Sequence, residues 1–245
     1  MTSRRDFLRS FLAAGALAGF GARASFAAPR AARPRPIPLG LLLDPDIPEG
    51  RGARLGFEES EHLGDLLHIR FVAAPTSRYA LIGLAAPKVE PAALFLAVAP
   101  PESDAAPSPP WPHVYFVASS PAFRRQALDR HPDRKDLKVV DWQDGLMKFG
   151  AESLKLRYLR RFDQPMDEAA WRGWMAVKVA TELALRFPGT SAGVPATNNV
   201  EGLRIDGHKG MPLRFDPTDH HLVQPVYLVD PQGKVVDEVA PEWKE

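Results

Sequence analysis

The sequence predicts an α/β fold: a mainly parallel sheet flanked by helices, reduced to about one lobe followed by C-terminal helices and a hairpin. Two observations carry the prediction. Short apolar runs recur through the first half, "PLGLLLD", "LHIRFVAA", "YALIGLAAP", "ALFLAVAPP" and "HVYFVASSP", each closed by turn residues. Strands covered on both faces read as such continuous runs rather than as alternation. A helical stretch lies between the first two runs and further helices follow, as crossover connections between parallel strands require. At 245 residues and 45% hydrophobic composition the chain is long enough to bury a sizeable core.

The first element is not part of that core. Ser3-Arg4-Arg5-Asp6-Phe7-Leu8-Arg9 precedes the apolar run "SFLAAGALAGFGA" and the small-residue segment Ala22-Arg23-Ala24-Ser25-Phe26-Ala27-Ala28. Charged, then apolar, then small is the order of a removable export signal. The paired arginines before Phe-Leu match the twin-arginine address. The apolar run is too short for a membrane span, which needs about 20 residues. Residues 1–28 are therefore expected to be a signal peptide cut after Ala24, Ala27 or Ala28, and the mature chain is expected in the periplasm, exported by the Tat pathway. The signal holds four arginines and one aspartate, so its removal takes the formal charge from +1 to −2. A mildly acidic chain lacks the basic stripe that nucleic-acid binding needs. With no cysteine there is no disulfide, thiolate nucleophile or thiolate ligand.

Residues 29–38, "PRAARPRPIP", read as an extended Pro/Arg-rich linker. An N-terminal α/β lobe is expected over 39–135. Its first helix, "GARLGFEESEHLGDLL", sets Ala53, Gly56, Phe57 and Ser60 on one mostly small face, suited to close packing on a sheet. A helical segment with closing strands is expected over 136–245. There Met147, Ala151, Leu154, Tyr158 and Phe162 share a face of one helix, and "MDEAAWRGWMAVKVATELALRF" is a second helix, apolar over most of its circumference. "GVPATNNVEG" reads as a loop, and Asp230-Pro231-Gln232-Gly233 as a hairpin turn.

Catalytic and cofactor motifs fail on spacing. Gly50-Arg51-Gly52-Ala53-Arg54-Leu55-Gly56 has leucine where a dinucleotide loop needs its third glycine. Asp44-Pro45-Asp46 starts like a calcium loop, but Pro48, Glu49 and Leu55 break the ligand pattern. Neither a Gly-x-Ser-x-Gly elbow nor a His-Glu-x-x-His pair occurs. No acid-base pair or nucleophile is identifiable, so a non-catalytic protein with no cofactor is expected. One candidate metal set remains in "DPTDHHLVQP": Asp216, Asp219, His220 and His221, with His208 nearby in sequence. On a strand the two histidines would face opposite ways; on a turn they would converge on a divalent or trivalent ion.

Two blocks resemble the type I periplasmic solute-binding proteins of branched-chain amino-acid ABC transporters. The similarity extends to the branch associated with catabolism of alcohols by pyrroloquinoline-quinone (PQQ) enzymes. The first block is "GARLGFEESEHLGDLLHIRFV". The second is "GAESLKLRYLRRFDQPMDEAAWRGWMAVKVATELAL" with the later "IDGHKGMPLRFDPTDHHLVQPVYLVD". The resemblance implies a role in binding a small solute or a periplasmic partner, in connection with an ABC permease or a quinoprotein dehydrogenase. The metal set implies an alternative, a periplasmic metal carrier or maturation factor for such a dehydrogenase. The resemblance makes "DPTDHHLVQP" part of the closing strands. It also exposes a departure, because "HVYFVASSP" is followed within a few turns by "LKVVDWQDGL", an element of the second lobe, so most of that lobe is expected to be missing. Leu84-Ala85-Ala86-Pro87 stands where relatives place ligand-binding serine or glycine. That leaves Ser119 and Ser120 as the polar ligand contacts of the first lobe. Trp111, Trp142, Trp171 and Trp174 are the aromatic candidates for partner contact where the lost lobe would have packed.

Overall fold

The computed structural model describes residues 35–74, 80–84, 94–99, 113–187 and 197–242. In chain order its elements are β1 (Arg35–Leu41), α1 (Pro48–Leu67), β2 (Ile69–Ala74), β3 (Ala80–Gly83), β4 (Leu94–Ala97), β5 (Val114–Phe116), α2 (Pro121–Leu128) and β6 (Lys138–Val140). There follow α3 (Ala151–Phe162), α4 (Glu168–Arg186), α5 (Thr197–Glu201), β7 (Ile205–Asp206), β8 (Pro212–Phe215), β9 (Leu222–Val223), β10 (Val226–Val229) and β11 (Val235–Val239).

β1 to β5 form one parallel sheet in the order β2-β1-β3-β4-β5. Every residue of β3 and β4 is buried, which is why these strands read as unbroken apolar runs. β1 starts at Arg35, inside the stretch expected to be linker. Its prolines are tolerated because, among the described residues, β3 pairs with Leu39–Leu41, while Pro36 and Pro38 are paired with β2. A missing N–H costs a central strand a ladder bond but costs an edge nothing.

α1 connects β1 to β2. Pro48 opens it, and His68 closes it in the left-handed conformation at φ 55°. Its buried face is small, as expected, but it meets chiefly the helix α4, and the sheet at its C-terminal end, where Gly64 lies against Ile69 and Phe71 of β2. A β-carbon at Gly52 would stand 1.8 Å from the carbonyl oxygen of Ala170, and one at Gly173 would stand 1.9 Å from that of Glu49. Glycines on both helices thus let the α1 and α4 backbones touch. Further along, the hydroxyls of Ser60 and Thr181 lie 2.7 Å apart.

α4 starts at Asp167, whose carboxylate accepts the Ala170 N–H at 2.8 Å. It is buried nearly all round, between α1 and the core that also takes Leu39, Ile82 and Leu96 from the sheet. α3 starts later than its pattern predicts, at Gly150 with φ +85°. Met147 therefore precedes the helix and is exposed, while Ala151, Leu154 and Tyr158 are buried. Arg157–Glu59 and Arg161–Glu58 pairs tie α3 to α1 at 2.7 and 2.9 Å.

A second, antiparallel sheet has the order β11-β10-β6. α2 covers it through Ala127, Phe123 and Leu128, over Val139, Val226, Leu228 and Val239. The hairpin turn falls where expected, with Gly233 at φ +78° donating to the Asp230 carbonyl at 2.9 Å. Residues 197–201 form a short helix where a loop was expected. β7, β8 and β9 make a third small sheet. The chain then runs alongside β5: Phe116 N–H bonds to the His220 carbonyl and Leu222 N–H to that of Ala118, both at 2.9 Å. Residues 220–222 thus extend the main sheet in parallel, with Phe116 bridged to His221.

Candidate functional site

Open α/β sheets bind ligands beyond the carboxyl ends of their strands. In this chain that edge, at β4 and β5, is occupied by charged side chains. Arg172, on the buried side of α4, donates Nε–H to the carbonyl of Val98, the residue after β4, at 3.0 Å. After β5, the buried Ser119 donates Oγ–H to Asp141 Oδ1 at 2.5 Å and its backbone N–H to Oδ2 at 3.2 Å. The Asp141 N–H in turn reaches Glu168 Oε1 at 2.7 Å. Arg124 Nη1 lies 3.4 Å from Asp141 and 3.3 Å from Glu168, and its guanidinium also donates to the Val139 carbonyl. Arg172 lies 3.3 Å from Glu168 and 4.0 Å from Glu49.

Lys209 completes the cluster from the loop between β7 and β8. Its ammonium donates to the Asp141 carbonyl, to Gln224 Oε1 at 2.6 Å and to the Pro225 carbonyl at 3.2 Å, and lies 4.3 Å from the centre of the Trp171 ring. Complete burial lowers its pKa to about 7. Burial raises the pKa of Glu168, helped by the Asp141 charge and opposed by Arg172 and Arg124. Three carboxylates, of Glu49, Asp141 and Glu168, thus face three cations, of Arg124, Arg172 and Lys209. A buried charge is costly unless paired and hydrogen-bonded; Asp141, Glu168, Arg124 and Arg172 have both kinds of partner, Glu49 has Arg172 at 4.0 Å, and Lys209 has its carbonyl and amide acceptors. The sequence signal was Arg172 itself, a charge set among Ala170, Trp171, Trp174 and Met175 in a helix apolar over most of its circumference.

Beside this cluster lies a half-open cavity of about 720 Å³. Ser120, Phe123, Gln126 and Arg130 bound it on the α2 side, and Asp216, Asp219 and His221 on another. Val239 and the tail to Glu242 complete it. The structure therefore brings together Ser120, Asp216, Asp219 and His221, and separates them from Ser119 and His220. Ser120 caps α2, accepting the Phe123 N–H at 3.3 Å. Asp216 Oδ1 accepts the Thr218 N–H at 2.7 Å and Asp219 Oδ1 that of His221 at 2.9 Å, so both acids brace the turn into the last strand of the sheet.

The two histidines face apart. His220 stacks on Tyr115 at 4.6 Å and its Nδ1 lies 3.1 Å from the Val114 carbonyl, whereas His221 stacks on Phe116 at 4.5 Å. His208 stacks on Trp174, and burial holds it below the usual imidazole range. Among the described residues no three histidine, aspartate or glutamate side chains gather as a metal site would require. The candidate metal set Asp216, Asp219, His220 and His221 is divided: Asp216, Asp219 and His221 line the cavity, whereas His220, at φ +60°, turns its ring onto Tyr115.

The partner-contact candidates are corrected too. Trp142, Trp171 and Trp174 are core residues, each no more than 2% exposed. Their indole N–H groups bond to the Met166 carbonyl, the Gly207 carbonyl and Glu59. Trp111 and residues 85–87 lie outside the described residues. Ser119 is spent on Asp141 and presents no hydroxyl to a solute.

No protein-family model matches the chain, and no curated protein matches it. Solved structures do. The branched-chain amino acid transporter substrate-binding protein LivJ from Streptococcus pneumoniae, in complex with isoleucine, is 10% identical with a TM-score of 0.55, over 85% of this chain and 100% of that one. An ABC transporter substrate-binding protein from Sphaerobacter thermophilus is 9% identical with a TM-score of 0.53, over 84% and 98%. A solute-binding protein of an ABC transporter from R. palustris, in complex with 4-hydroxybenzoate, is 10% identical with a TM-score of 0.51, over 85% and 98%. The fold is that of the type I periplasmic binding proteins. No helix among the described residues is long and apolar enough to cross a membrane.

Proposed function

We propose that the chain is a non-catalytic solute-binding protein of the periplasm that works with an ABC permease in connection with PQQ-dependent alcohol oxidation. One observation carries the reading in this fold: the cavity at the start of α2, whose volume of about 720 Å³ lies in the range of small-molecule sites. Phe123, Leu222, Val223 and Val239 give it apolar walls, and Ser120, Gln126, Arg130, Asp219 and His221 give it polar groups. The PQQ link rests on the likeness of the C-terminal block, and Tat export on the Arg4-Arg5 pair with its apolar run and small-residue cleavage sites. On this reading residues 39–135 are the N-terminal lobe, residues 136–245 its closing segment, and the second lobe is shortened.

Thermal shift against amino acids, aromatic carboxylates, short alcohols and aldehydes tests it. One chemical class is expected to raise the melting temperature, and Phe123→Ala to reduce that rise. A flat response to every class overturns the solute reading. A second reading, a protein-interaction module, is favoured by Leu66 and Leu67, which are 79% and 49% exposed where α1 meets the edge strand β2. Co-purification of one periplasmic protein, lost in Leu66→Glu, would support it.

A further inference from the structure

We infer that the charged cluster at the carboxyl edge of β4 and β5 is a built-in lock, holding the sheet, α4 and the small β11-β10-β6 layer in one closed arrangement without any ligand. A hinged clamp needs an interface that opens when empty, with polar groups that water or solute satisfies in turn. This interface has the opposite character. Most of its polar groups pair with one another, and the hydrogen bonds and ion pairs from the strand ends alone tie together five separate parts of the chain. Val98 and Ser119 belong to the ends of β4 and β5; Arg124 lies on α2, Asp141 just beyond β6, and Glu168 and Arg172 on α4.

Opening would strand buried carboxylates and guanidinium groups from their partners, and breaking a buried pair is far more costly than never forming one. Arg172 also sits on the Val98 carbonyl, so the chain's own side chain takes the place at the strand end that a bound molecule would need. A solute is accordingly held beside the crevice and not within it, and binding proceeds without closure.

Two backbone amides report the lock directly, because their acceptors belong to it. The Ser119 N–H bonds to Asp141 Oδ2, and the Asp141 N–H bonds to Glu168 Oε1. Hydrogen exchange followed by NMR on the ligand-free mature protein is the test. Both amides are expected to exchange as slowly as core amides such as Leu96, within about threefold, because they open only with the whole fold. Exchange about 100-fold faster than the core would show a crevice that opens when empty, and would overturn the lock.

Glu168→Gln keeps the acceptor for the Asp141 N–H but removes the charge shared by Arg124 and Arg172. It is expected to speed exchange at Ser119 and Asp141 by about 10-fold or more relative to Phe71 in β2. An unchanged ratio would overturn the part assigned to Glu168. Should the variant not fold, the ratio measured in the unaltered protein still decides. The test uses no solute, so its outcome is separate from that of the solute-binding reading.

Discussion

Ser119 and Asp141, 22 positions apart, meet through two hydrogen bonds, a hydroxyl and a backbone N–H gripping the two oxygens of one buried carboxylate. The pair joins the end of β5 to the end of β6, and so the main sheet to the small one. Ser119→Ala leaves the carboxylate buried with a donor missing. It is expected to cost about 2 kcal/mol of stability, read as a lower urea midpoint at unchanged slope. A loss below a few tenths of a kcal/mol would mean that water replaces the hydroxyl.

The glycine contacts between α1 and α4 give a sharper expectation. Gly52→Ala and Gly173→Ala each drive a methyl group into a backbone carbonyl of the other helix, and no rotamer change relieves it. Each is expected to cost about 3 kcal/mol or more by overpacking. Gly233→Ala is the control: nothing lies near its β-carbon position, and only its φ of +78° resists the change, for about 1 kcal/mol. Equal losses at the three sites, measured by urea unfolding, would contradict the helix contact.

Lys209 makes stability depend on pH. Its folded pKa of about 7 lies below the ordinary value of 10.5, so between the two the unfolded chain binds a proton that the folded chain does not. Stability from this group is therefore present above 10.5, and is lost as pH falls through about 7. Glu168 acts with the opposite sign: its raised pKa favours the fold below the ordinary 4.5, and that gain is lost as pH rises through the folded value. The unfolding free energy should rise from about pH 7 towards pH 10. Lys209→Met should flatten that rise and, by leaving the Gln224 and backbone acceptors without a donor, cost about 3 kcal/mol above it. A profile that Lys209→Met leaves unaltered would refute the assignment.

The stacked histidines have a structural expectation. His220→Ala loses the ring on Tyr115 and His221→Ala the ring on Phe116, each worth about 1 kcal/mol beyond the area buried. Native mass spectra with calcium, a lanthanide or copper should show no adduct for the parent or for either variant. An adduct present in the parent and lost in His221→Ala would restore the metal reading.

The parallel strands were legible because burial on both faces leaves a direct mark, an unbroken apolar run. The hairpin was legible because Gly233 must reach positive φ. β1 was misjudged at its start, since Pro36 and Pro38 argue against a strand unless one knows that β3 pairs with its other half. The small face of α1 was visible, but its partner was not: Gly52 is cut for Ala170 on a helix more than a hundred residues away, and nothing local says so. The lock was illegible for the same reason. Asp141, Arg124 and Glu168 look like ordinary surface charges until the fold gathers them. Of the cavity, Ser120, Asp216, Asp219 and His221 stand out in the sequence separately, for different chemistries, while Phe123, Arg130 and the Val239 tail carry no local signal.

The run of His220 to Leu222 beside β5 has a consequence for biogenesis. The outer flank of the main sheet is supplied from 106 positions downstream, so on the ribosome β5 waits as a bare edge until His220 to Leu222 have emerged. Contacts of such high sequence separation form late and slowly. Chains cut short before Asp216 should accordingly fail to reach a soluble state, however complete their first five strands.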